Sequence, residues 1–348
     1  MKNQSEAQKK HDSYLWFRAA AERGNPYAQF NLALMYKTGQ GAVRDPAAAF
    51  LWMQRAAVQG LAFAQNHLGA MYYYGRGIEA SDSDAVHWFH CAAVQGDGSA
   101  QQNLGQMYKR GRGVPISSEM ALSWFFRAAE QGVASAQTLL GEAYAHGEGA
   151  NRSYPLALAW FRKAALQGDV TAQLNLGLMY RHALGVAQSD ARALEWFRQA
   201  AALGAPIAQR VVGLAYLEGR GAGADPLRGC AWLSRAAEQD DAEAQFHLAL
   251  MLVHGRGVDC DEELAYTWYR RAAEAGHLLA QHHLAVLYVH GRGVAHDPVQ
   301  AYKWMALAAD GGIRSARKGR RKLAGEMAPG QLDEARALAR RWRARQAG

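Results

Sequence analysis

The stretch WFRKAALQGDVTAQLNLGLMY, residues 160–180, decides the fold, because its marks recur at a fixed spacing along the chain. Tryptophan occupies positions 16, 52, 88, 124, 160, 196, 232, 268 and 304, nine times at a spacing of 36 residues. A residue repeated in that way is not one member of a unique active site; it belongs to a unit that is built again and again.

Counted from each tryptophan, two alanines stand at offsets +4 and +5 in all nine units, and glycine stands at +8 except at Asp240. The pair Ala-Gln follows at +12 and +13 in eight units, from Ala28-Gln29 to Ala280-Gln281; the ninth has Ala316-Arg317. Apolar or small residues at −3, −2, 0, +1, +4, +5 and +8 form a broad stripe at helical period. Seven residues before the tryptophan comes Asp45, Ser81, Ser117, Ser153, Ser189, Asp225, Asp261 or Asp297, each able to accept an orphan N–H of a helix start. Glycine at +8 then suits a left-handed residue after the helix end.

A second helix is predicted from about Asn25, Asp97, Asp169 or Asp241, with leucine or valine at +16 and tyrosine at +20, replaced once by Leu252. Only glycine or alanine is found at +17, although a glycine inside a helix costs about 1 kcal/mol relative to alanine. Its repetition predicts that another helix packs there too closely for a larger side chain. A glycine-rich turn follows, GRG in most units; its second glycine is always kept and its first is lost only at Ala183. Because this turn ends a helix and follows no strand, it is not a phosphate-binding loop.

Two antiparallel helices per 36 residues, neither able to bury its stripe alone, predict an all-α fold: an α/α solenoid (superhelix) of helix-turn-helix repeats. The tryptophans are expected to form one hydrophobic ladder. The repeat array is placed at residues 1–312 and the degenerate end of the ninth repeat, with a basic C-terminal capping helix, at 313–348. Within this end Leu323, Met327, Leu332, Ala335, Leu338, Ala339 and Trp342 supply the apolar side that a cap needs.

The net charge of +8 belongs to that end: residues 314–348 hold 11 basic side chains against Glu326, Asp333 and Glu334, which leaves 28 of each sign before them. The cluster raises a second class of function, contact with anionic membrane or nucleic acid through residues such as Arg320, Arg321 and Arg343. No apolar run reaches the roughly 20 residues of a membrane span. The start has no apolar stretch of a secretory signal, so the chain reads as cytoplasmic as written, or periplasmic if it is a mature fragment. Cys91, Cys230 and Cys260 are odd in number and out of register, so free thiols are expected, with a Cys230–Cys260 bridge the pairing left open.

The motifs W-F/Y-x-x-A-A-x-x-G and A-Q-x-x-L-G-x-M-Y-x-x-G-x-G-V resemble the Sel1-like repeat, related to tetratricopeptide repeats but with a longer period. The resemblance implies a non-enzymatic protein-binding scaffold or adaptor; the alternative is an immunity protein that neutralises a secreted toxic effector, for example a lipase-type hydrolase. The branch of the family with a disulfide in each repeat is not a model here. In related solenoids the polar face of the first helix lines the concave surface, and here that face carries Arg55, His87, His90, Phe126, Arg127, Arg162, Lys163, Arg198, Arg235, Arg270 and Arg271, with Arg18 before them. Such a row suits a protein partner with an acidic surface, arginine forking carboxylates and Phe126 supplying an apolar contact. The competing reading is that these cations only solvate the face.

No catalytic motif, cofactor or small-molecule substrate is indicated. Asp84, His87, His90 and Cys91 are competent zinc ligands, but a helix seldom converges ligands at such spacing, and no metal is expected. His146, His182, His254 and His290, all at +22, are placed at helix ends, where an imidazole suits the helix dipole. Glu142 and His146 read as a side-chain pair rather than an acid/base couple.

Overall fold

The computed structural model describes residues 2–347, among which there are nineteen α-helices and no strand. Two compact units divide at residues 172 and 173. The first contains α1 (Lys2–Glu22), α2 (Pro26–Thr38), α3 (Pro46–Val58), α4 (Ala62–Tyr74), α5 (Asp82–Val94), α6 (Gly98–Arg110), α7 (Ser118–Glu130), α8 (Ala134–His146), α9 (Tyr154–Leu166) and the first turn of α10 (Val170–Arg181). The second contains the rest of α10, then α11 (Asp190–Ala202), α12 (Pro206–Glu218), α13 (Pro226–Glu238), α14 (Ala242–His254), α15 (Glu262–Glu274), α16 (Leu278–His290), α17 (Pro298–Asp310), α18 (Arg314–Glu326) and α19 (Pro329–Ala347).

The start of each first helix from α3 to α17 follows from one side chain. All eight residues expected to start the first helices are N-caps, as at Asp45, whose Oδ1 accepts from the amides of Ala47 and Ala48, both at 3.0 Å. The +8 glycines have positive φ, and Asp240, their one replacement, holds φ 64°. His277 was not foreseen as a cap, yet its Nδ1 accepts from the Ala280 amide at 3.0 Å while Nε2 meets Glu243 at 3.0 Å. The two turn glycines differ in what they demand. The first needs only a left-handed backbone, which Ala183 adopts at φ 55°. The second lies against a carbonyl in the opening turn of the preceding first helix: a Cβ on Gly77 would strike the Pro46 oxygen, and one on Gly113 the Asp82 oxygen.

Within each unit the more extensive packing joins a second helix to the first helix of the following repeat, as α6 to α7 and α14 to α15. The small residue at +17 makes this approach possible. A Cβ on Gly105 would come within 2.6 Å of the Phe125 ring, and one on Gly141 within 2.7 Å of Phe161. Those rings sit at +1, and this position, rather than the tryptophan, forms the deepest ladder: Met53, Phe89, Phe125, Phe161, Phe197, Leu233, Tyr269 and Met305 are all 4% exposed or less. Burying each contributes roughly 1.5–3 kcal/mol.

The tryptophan ladder therefore needs correction. Trp124, Trp160 and Trp304 are buried, Trp52, Trp88, Trp196, Trp232 and Trp268 are half-buried, and Trp16 is 64% exposed. The buried rings are those covered edge-on by a ring from another helix, His90 on Trp124, Phe126 on Trp160 and Trp342 on Trp304, with centroids about 6.0–6.1 Å apart. Where Arg18, Gln54, Arg198 or Ser234 stands at +2, the next indole stays partly open, whereas Trp304, next after Arg270, is closed by Trp342.

A polar ladder runs inside the apolar one. The +13 glutamines are buried; Gln65 Nε2 donates to the Ala57 carbonyl at 3.1 Å, and its Oε1 accepts from Gln95 Nε2 at 2.7 Å. Gln29, Gln101, Gln137 and Gln209 repeat both bonds. Each amide thereby satisfies its buried polar atoms while tying three helices together. At the C-terminal end α19 packs on α17 as a cap, with Ala335 and Ala339 buried. Arg320 and Arg343 both pair with Asp310, at 2.8 and 3.0 Å, which links α18 and α19 to the end of α17.

Candidate functional site

The predicted interaction residues lie on the polar, solvent-accessible side of the first helices, and the geometry explains the basic residue at +3 in five repeats. An i, i+3 spacing sets the cation over the indole of its own helix. Arg55 lies 4.4 Å from the Trp52 ring centroid, Arg127 4.6 Å from Trp124 and Lys163 3.9 Å from Trp160. In the second unit Arg235 lies 4.8 Å from Trp232 and Arg271 4.7 Å from Trp268. The side chains are thus laid along the rings, and part of the entropy lost on binding is already spent in the free protein.

In the first unit Arg55, His87, His90, Phe126, Arg127, Arg162 and Lys163 are all exposed. Phe126 is 44% exposed while its edge covers Trp160, so it serves packing and surface together. His87 packs edge-on against Trp88 and approaches the Cys91 sulfur at 3.8 Å; Asp84 turns instead to Ser81 Oγ at 2.5 Å. His90 turns to Trp124, so the four side chains weighed as zinc ligands point to different partners. Among the described residues no group of three or more His, Cys, Asp or Glu is arranged to hold a metal ion.

In the second unit the row is less open. Arg270 pairs with Glu274 at 2.9 Å and Arg271 with Asp240 at 2.8 Å, so both already hold a carboxylate. Arg198 instead borders a shallow groove of about 390 Å³ with Glu195, Gln199, Ala202 and Trp232. Arg18 is likewise held by Glu22 at 2.9 Å.

The other titratable groups have structural surroundings. His146, His254 and His290 stand in the last turns of their helices, and His182 lies just beyond α10. Burial raises the Glu142 carboxyl above its usual range, opposed by Lys109 and His146. Burial raises the Cys230 thiol, and all three cysteines are free. Among the described residues no helix is long and apolar enough to cross a membrane.

Comparison with known proteins places this architecture. The Sel1 repeat family model matches residues 8–25, 26–61, 62–97, 98–133, 134–169, 170–204, 206–241, 242–277 and 278–313. None of the curated proteins compared with the chain matches it. Among solved structures, a Sel1 repeat protein from Oxalobacter formigenes is 31% identical, over 91% of this chain and 94% of that one, with a TM-score of 0.72. A protective antigen of uropathogenic Escherichia coli strains, c5321, which displays an SLR fold, is 30% identical over 94% of this chain and 78% of that one, with a TM-score of 0.60. An immunity protein from Pseudomonas aeruginosa is similar at 17% identity over 72% of this chain and 81% of that one, with a TM-score of 0.35.

Proposed function

This chain belongs to the Sel1 repeat family, and we propose that it is a non-enzymatic interaction scaffold that binds a protein partner through the exposed face of its first helices. In this reading residues 1–312 are the interaction array and residues 313–348 its lid. The observation that carries it is the row of cations stacked on tryptophan in the first unit, Arg55, Arg127 and Lys163, with exposed Phe126 between them. Arginine and tryptophan are the residues on which interface energy concentrates, and here they are held in place before a partner arrives. A carboxylate-bearing surface is the complement: each guanidinium lying on an indole keeps its N–H edge available for a fork to Asp or Glu. Surface solvation alone would favour mobile lysines without an aromatic bed.

The test is site-specific photocrosslinking in cells with a benzoylphenylalanine in place of Phe126, compared with the same probe replacing Tyr74, an exposed residue at the end of a second helix. A single protein adduct at 126 and none at 74 is the expected result, and the identity of that protein separates an adaptor from a toxin-neutralising immunity role. Equal labelling at both sites, or none at 126, would overturn the assignment of the face.

A further inference from the structure

In the first unit a cavity of about 480 Å³ opens between the end of α2, the start of α3 and the turn after α4. Its floor is apolar: Ala49, Met53 and Met71 are all buried. Its rim is cationic, with Lys37, Arg44 and Arg76 all exposed and half-buried His67 beside them, and no Asp or Glu lines it. Burial and the neighbouring Lys37 help hold the His67 imidazole below its usual range, while its Nδ1 lies 3.0 Å from the Phe63 carbonyl.

The repeat supplies an internal control for what is missing here. One unit further on, Arg112 stands where Arg76 stands, lies 4.0 Å from the Tyr73 ring centroid, and forks onto Asp82 at 2.9 and 2.6 Å. In the second unit Arg292 makes the corresponding pair with Glu262. At the cavity the position of Asp82 is taken by Pro46 and that of Tyr73 by Lys37. Arg76 has no carboxylate and turns to the Tyr74 ring at 4.8 Å. Lys37 and Arg44 add a second and third cation here; one unit further on their positions are held by Tyr73 and Ala80. Three cations around an apolar floor with no lining carboxylate make the cavity electropositive and complementary to a ligand that brings an anion.

We propose that this cavity binds an organic carboxylate carrying a compact apolar group. The ligand's carboxylate takes the place that Asp82 fills one unit on, between Arg76 and Lys37, and its apolar part lies on Met53 and Met71. The volume suits a small molecule or a terminal residue. The same chemistry is offered by a free medium-chain acid and by the C-terminal carboxylate of a peptide that ends in an aliphatic side chain.

The experiment follows the methyl resonances of Met53 and Met71 in protein labelled with 13C-methyl methionine during titration with octanoate, octanol, and an acetylated Ala-Ala-Leu peptide as acid and as amide. Octanoate or the peptide acid, but neither neutral counterpart, is expected to shift both methyls, and which of the two binds identifies the source. Arg76→Gln is expected to weaken the effective probe about tenfold, as for one lost charge-assisted hydrogen bond. Pro46→Asp rebuilds the pair found at Asp82 and Arg112, keeps the fold by the chain's own precedent, and should weaken binding by at least that factor. The proposal is overturned if neither acid shifts these methyls, if octanol binds as well as octanoate, or if both variants, folded by thermal melting, bind like the unaltered chain.

Discussion

Replacing Gly141 by alanine tests how the repeats interlock. The added methyl would lie 2.7 Å from two carbons of the Phe161 ring and 3.1 Å from a third. Ordinary carbon contacts are about 3.5–4.0 Å, so the ring must retreat by nearly 1 Å. Phe161 is only 2% exposed and has little room to move. Overpacking of this kind costs about 1–3 kcal/mol, against about 1 kcal/mol gained from the better helix former, a net loss of about 0–2 kcal/mol. Elsewhere the position is alanine: Ala33 and Ala285 are followed 20 residues on by Met53 and Met305, unbranched chains that can adapt to a methyl, and Ala249 by Tyr269. Phe161→Met alone should cost about 1–2 kcal/mol by leaving space unfilled. In the double variant the two changes fit each other, so it should be about 1–2 kcal/mol more stable than the sum of the singles predicts. Urea unfolding followed by both circular dichroism and tryptophan fluorescence measures this cycle, with coincident curves required because repeat arrays need not melt in one step. Additivity within about 0.5 kcal/mol would refute the inference that Gly141 and Phe161 form one packing unit.

Three further changes probe separate parts of the fold. Ala275→Gln places an amide where Gln59 and Gln95 stand in earlier repeats; Gln245 Oε1 is buried without a hydrogen-bond partner, so the variant should gain about 1 kcal/mol in urea unfolding, and an unchanged midpoint would count against the glutamine ladder. Trp160→Ala should cost about 3–5 kcal/mol and Trp16→Ala about 0.5 kcal/mol or less, since Trp160 is 7% exposed and Trp16 64%; equal losses would contradict the division between buried and open indoles. His283 is stacked on Tyr269 at 5.3 Å, and burial holds its imidazole down to about 4, below the ordinary value of about 6.5. The unfolded chain binds the proton first, so this contribution is complete above pH about 6.5 and is lost as pH falls toward 4. His283→Phe should flatten that part of the stability profile, to which His247 and His282, also lowered by burial, still contribute.

The architecture was legible because a period repeated nine times averages out local ambiguity: caps, stripes and turns agree at every copy. Which member of the stripe goes deepest was not, since offsets 0 and +1 are both apolar and differ only in how the neighbouring helix crosses them. The glutamine bonds were hidden for a related reason. Recurrence of Gln at +13 and at +7 in five units was visible, but their pairing joins residues 30 apart that only the stacked helices bring together. The candidate face was legible as a polar surface, whereas the stacking of its cations on indoles depends on rotamers. That Arg270, Arg271 and Arg18 are held by carboxylates, and Arg76 is not, requires comparing each repeat with its neighbours in space.

The most direct measurement is the dissociation constant for the protein crosslinked at position 126, by calorimetry, for the unaltered chain and two charge-reversed variants. One carries Arg55→Glu, Arg127→Glu, Arg162→Glu and Lys163→Glu on the first-helix face; the other carries Arg340→Glu and Arg341→Glu on the exposed side of α19. Both are checked for native helicity. The expected result is roughly hundredfold weaker binding for the first, with affinity that falls as salt is added to the unaltered complex, and a change of less than about twofold for the second. Binding that survives the first set of reversals, or is lost with the second, would contradict the claim that the cation and indole row of the first helices is where the partner docks.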